Sequence, residues 1–120
     1  MKAFKIHETA LGVTGTGVKI TYKLVKTGDV SMADLSIGHT PIDLKKDQDK
    51  TDNNVFQSKN DSQYLGLWEG NGILVTAHAN GKAGGNWKLT ISVNGTPLND
   101  DPIKESTDGN GHLDHNAKHN

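Results

Sequence analysis

Apolar and polar residues alternate one by one through "GVKITYKLVK", Gly17 to Lys26. Val18, Ile20, Tyr22 and Leu24 take one set of positions; Lys19, Thr21 and Lys23 take the other. A period of two is that of a strand with one face buried. "NWKLTISVNG", Asn86 to Gly95, repeats the pattern with Trp87, Leu89, Ile91 and Val93 in phase. Trp87 is therefore expected in the core. The Asn94-Gly95 pair that follows suits a tight turn, because both residues tolerate positive φ. "GILVTAHAN" is apolar on both faces at its start, which predicts a central strand. "VSMADLSI" changes phase midway, the mark of a bulge. "AFKIHE", "PIDLKK", "NVFQ" and "SQYLGLW" are shorter strand candidates. No stretch holds a helical apolar period for three turns.

Seven or eight short strands over roughly 100 residues predict an all-β domain. The expected architecture is a single antiparallel β-sandwich, Ig-like or jelly-roll-like, with a small β-barrel as the alternative. The domain is expected to span residues 1–100. After Asp100 the chain turns polar, and only Ile103 and Leu113 offer apolar anchors. Residues 101–120 are accordingly expected to form a flexible, disordered, histidine-rich tail.

Composition narrows the function more than it identifies it. The chain has no cysteine, which excludes disulfides, thiolate catalysis and cysteine-zinc sites. Its cations are all lysine, and the net charge is −1. Without arginine or a basic run, a dedicated nucleic-acid surface is not expected. No segment approaches the ~20 apolar residues of a membrane helix, and no signal peptide is visible in the sequence as given.

Three of the six histidines, His112, His115 and His119, lie in "GHLDHNAKHN". On a helix they would share a face with Asp114 beside them, and imidazole with carboxylate suits zinc, copper or nickel. The competing expectation is a solvated tail that binds divalent metal only weakly, since Gly109 and Gly111 loosen its approach. No resident cofactor is expected.

"QYLGLWEG" offers a second candidate. If Leu65 and Leu67 face the core, Tyr64, Gly66 and Trp68 face away from it. Two rings flanking a glycine would form a strip for carbohydrate or a protein partner, with Glu69 and His78 adding polar contacts. In the opposite phase, the same rings belong to the core.

Other motifs fail on spacing. "DQDKTDNN" has Asp52 where a calcium loop needs glycine. "GVTGTGVK" is neither of the glycine-rich phosphate signatures, and a strand follows it. No serine sits in a nucleophile elbow. The sequence therefore predicts a non-enzymatic recognition module. Metal binding by the tail, and a structural or surface antigen-like domain without small-molecule ligand, are the alternatives.

Overall fold

The computed structural model describes residues 6–8, 14–59, 64–99 and 101–120. Within them the alternating segments become strands, in the order β1 (Ile6–Glu8), β2 (Thr14–Lys26), β3 (Val30–Ile37), β4 (Thr40–Pro41), a one-turn helix α1 (Leu44–Asp47), β5 (Val55–Gln57), β6 (Tyr64–Glu69), β7 (Gly72–Gly81), β8 (Asn86–Val93), β9 (Thr96–Pro97), β10 (Ile103–Ser106) and β11 (His112–His119). All pairings are antiparallel.

The all-β expectation holds. β2 and β7 organise the two layers. β2 carries β8 on one edge and β6 followed by β5 on the other. β10 extends that layer beyond β8. β7 carries β3 on one edge and β11 on the other. The β6–β7 hairpin joins the layers. Their inner positions meet in one apolar cluster. β2 contributes Val18, Ile20 and Leu24; β8 contributes Trp87, Leu89 and Ile91; β7 contributes Ile73, Val75 and Ala77. Trp87, 1% exposed, is in the core as its phase predicts.

Local chemistry explains the details. The phase change in β3 is a bulge: Met32 pairs with Ala79 and Asp34 with His78, leaving Ala33 over. Asn94 (φ 50°) and Gly95 (φ 86°) form the β8–β9 turn with the left-handed backbone that Asn-Gly favours. "PIDLKK" departs from expectation. Its second half, Leu44 to Lys46, opens α1, because the Asp43 carboxylate caps the Lys46 amide at 3.0 Å. β2 also starts early, absorbing Thr14 to Gly17 from the glycine-rich stretch. Ala3 to Lys5 of "AFKIHE" lie outside the described residues.

The expected disordered tail is corrected. Residues 103–106 pair with β8, and residues 112–119 pair with β7 in eight consecutive positions. Leu113 is 2% exposed and Ile103 is buried. An edge strand needs only a backbone ladder and one or two apolar anchors; its solvent face is properly polar. The approach is fixed too. The Asp108 carboxylate accepts the Asn110 and His112 amides at 2.9 Å each, which holds its pKa below the ordinary value. Gly111 (φ 78°) donates to the Asp108 carbonyl and accepts from the Gly81 amide at 2.8 Å. A boundary at residue 100 therefore does not separate two structural regions.

Candidate functional site

Because β11 is a strand, the four expected metal ligands fall on two faces. His112 and Asp114 point outward, while His115 and His119 lean toward the seam between the layers. They cannot share one ion. The helical spacing that grouped them gives way to a period of two.

The outward set joins a polar row across three strands. His78 of β7 lies between Asp34 of β3 and Asp114 of β11. Its Nδ1 is 2.7 Å from Asp34 Oδ1, and its Nε2 is 3.8 Å from Asp114 Oδ1. The hydrogen bond and charge of Asp34 raise the His78 pKa. His112 Nδ1 meets Asn80 Oδ1 at 3.0 Å on the same face.

The inward set forms a chain. Glu105 of β10 reaches His115 Nδ1 at 2.8 Å, and His115 Nε2 lies 2.9 Å from His119 Nε2. The His115 side chain is 10% exposed and stands edge-on to Trp87. Among the described residues, no three His, Asp or Glu side chains form a group able to cage a metal ion.

The aromatic strip is also corrected. β6 pairs Tyr64 with Ile20 and Gly66 with Val18, so Tyr64, Gly66 and Trp68 lie on the core-facing side. Leu65, opposite Lys19, is instead 57% exposed. A Cβ on Gly66 would come within 2.3 Å of the Ile20 Cδ1 atom and 3.0 Å of the Ile37 carbonyl. Gly66 is a site of close packing and leaves no opening between rings. Glu69 turns to His39 Nε2 at 2.6 Å, with Lys118 Nζ at 4.0 Å. His78 is on the outer face of β7. The structure does not bring Tyr64, Trp68, Glu69 and His78 into one site, and no described aromatic side chain is exposed.

What it does assemble is a polar node drawn from three separate elements, β2, α1 and β6. Asp47, 2% exposed, accepts the Tyr22 hydroxyl at 2.8 Å and the Tyr64 hydroxyl at 2.7 Å, both on Oδ2. Its Oδ1 has no hydrogen-bond partner among the described residues. The two rings meet edge to face at 6.2 Å. Asp47 also lines a surface hollow of about 300 Å³ with Asp49, Gln57, Ser58 and Lys59. A second hollow of about 260 Å³ shares Gln57 and Ser58 and continues over Thr21, Lys23, Thr90 and Ser92. Ser58 is held by the Tyr22 backbone, accepting from its amide at 3.1 Å and donating its own amide to its carbonyl at 3.1 Å.

Burial first, and the bond to Asp47 second, push both phenols up: Tyr64 to about 12, and Tyr22 higher. Folded tyrosines thus hold their protons more tightly than unfolded ones, whose pKa is about 10. Their contribution to stability is complete below about pH 10 and is lost as pH rises toward about 12. These are the only two tyrosines, so phenolate absorbance reads them without background. It should stay low above pH 10 and then rise together with unfolding; ordinary titration near pH 10 in the folded protein would contradict the node.

Among the described residues no helix is long and apolar enough to cross a membrane. No family model, curated protein or solved structure matches this chain.

Proposed function

We propose that this protein is a non-enzymatic recognition domain for a hydroxyl-rich ligand, of which carbohydrate is the natural class. The observation that carries this reading is the pair of adjoining hollows walled by Gln57 and Ser58. Their linings mix hydroxyls (Thr21, Thr90, Ser92), an amide (Gln57) and ammonium groups (Lys23, Lys59). A sugar hydroxyl is both donor and acceptor, and such a lining offers it both. The shared hydroxyl, Ser58, is tied to the Tyr22 backbone, and among the described residues no histidine bonds to it, which favours binding over turnover. With no exposed ring among the described residues to stack on a sugar face, affinity there rests on hydrogen bonds, and a Kd on the order of 1 mM is expected for a monosaccharide.

The test is an amide NMR titration against a panel of neutral and acidic mono- and disaccharides. At least one sugar should give saturable shifts centred on Gln57, Ser58, Thr90 and Ser92. Gln57→Ala should weaken them without changing the rest of the spectrum. No shifts with any sugar, or shifts confined to the outer face of β3, β7 and β11, would overturn the reading.

A further inference from the structure

The seam between β10 and β11 holds a second group of polar side chains, remote in sequence from the hollows. We infer that His115 and His119 form a two-point chelate for a divalent transition-metal ion such as zinc, copper or nickel, with Glu105 orienting His115 from behind.

The geometry has three parts. First, the two Nε2 atoms face each other at 2.9 Å, with ring centroids 5.1 Å apart and planes inclined by 16°. The nitrogen gap plus the two ring radii accounts for the centroid separation. The rings therefore lie end to end and nearly coplanar, not face over face. Second, Glu105 Oε2 accepts a hydrogen bond from His115 Nδ1 at 2.8 Å, which leaves His115 Nε2 directed at His119. A carboxylate behind an imidazole is the usual outer partner of a metal-ligating histidine. Third, the two residues are four apart on a strand, and the side chain between them on that face is Ala117. Its single methyl leaves room for two imidazoles to lean toward one another.

In the metal-free protein the gap is closed by the direct contact between the two ring nitrogens at 2.9 Å. For the metal to enter, the ion takes the place of any proton held between the two nitrogens, which leaves to solvent. Two metal–nitrogen bonds of about 2.0–2.1 Å at a tetrahedral angle span about 3.3 Å. The nitrogens need part by only about 0.4 Å, with a tilt out of line. Glu105 is occupied behind His115, and no third His, Asp or Glu completes a cage among the described residues. Water fills the remaining positions, and the ion is exchangeable.

The experiment is calorimetric titration of the full chain with zinc chloride, and separately with nickel chloride, at neutral pH, alongside NMR of the histidine ring nitrogens. Saturation at one equivalent is expected, with the His115 and His119 signals moving together and those of His112 and His78 unchanged. His119→Gln should lower affinity at least about tenfold, and Glu105→Gln by about 10–100-fold. Ala117→Val keeps every ligand and the strand propensity but fills the gap, and should also weaken binding severalfold. His112→Gln, on the opposite face, should not. The inference is overturned if zinc binds without saturating, if His112→Gln is the variant that loses affinity, or if His119→Gln and Ala117→Val both bind as the parent does. These outcomes do not depend on any ligand at the Gln57–Ser58 hollows.

Discussion

A chain ended after Asn110 should not fold. It loses all eight β7 pairings of β11, from Ile73 to Asn80, and the buried Leu113. Loss of a buried leucine alone costs about 2–5 kcal/mol through transfer and cavity terms. The Glu105–His115 bridge between the layers goes with it, as does the bond from the Gly81 amide to the Gly111 carbonyl. Against a domain stability of about 5–15 kcal/mol, these losses together exceed the margin. The opened edge of β7, flanked by Val75 and Ala77, would also invite edge-to-edge association. The truncated chain should show a collapsed amide spectrum and should aggregate, while Leu113→Ala in the full chain should fold with a loss of about 3 kcal/mol. A truncated protein that unfolds cooperatively within about 1 kcal/mol of the parent would mean that β11 is dispensable.

The second large effect belongs to Asp47. Asp47→Ala removes the acceptor for two phenol hydroxyls at once. Tyr22 is buried, and a stranded buried donor costs about 1–3 kcal/mol. Tyr64 is half-buried and can recover water, so it adds less. The opposing effect is relief of a buried carboxylate whose Oδ1 is unpartnered among the described residues. Bonds to a charged acceptor contribute about 1.5–3 kcal/mol each, and there are two. Destabilisation should win, by about 3 kcal/mol in chemical denaturation. Tyr22→Phe alone should cost about 1 kcal/mol, but in the Asp47→Ala background it should regain about 1–3 kcal/mol, because it removes the stranded hydroxyl. Asp47→Asn tests the other side: it keeps one acceptor but puts an amide donor where Oδ1 stands. If Asp47→Ala is neutral or stabilising, the orphaned oxygen outweighs both hydroxyl bonds.

The parts of the fold that were legible in the sequence are those where one face of a strand is buried along its whole length. β2 and β8 alternate without error, and Trp87 could be assigned from phase alone. The β3 bulge was visible as a slip in that alternation. β11 was not visible, because its ladder leaves only Leu113 fully buried and its remaining side chains look like those of a solvated loop. Backbone hydrogen bonds to β7 hold it, and no side-chain pattern records them. β6 misled for a different reason. Leu65 is more hydrophobic than Gly66, yet the crowded approach of Gly66 to Ile20 and Gly38 puts the glycine inside and the leucine out. The Asp47 node was hidden because its members, Tyr22, Asp47 and Tyr64, come from three separate elements. The same holds for Glu105 and His115, which meet only because two edge strands close one seam.

The length of β2 has one more consequence. At thirteen residues it is braced on both edges: Ile20 pairs with Tyr64 and Val93, and Lys23 with Gln57 and Thr90. Its central amides should be among the slowest to exchange with solvent, opening only when the whole domain opens. The second hollow lies over Thr21 to Lys23, on that braced stretch. A ligand there meets a surface that is already ordered and has almost no freedom left to surrender. Recognition would be a matter of pre-existing shape, with little rearrangement on binding and selectivity that later changes in side chains, more than in loops, would have to tune.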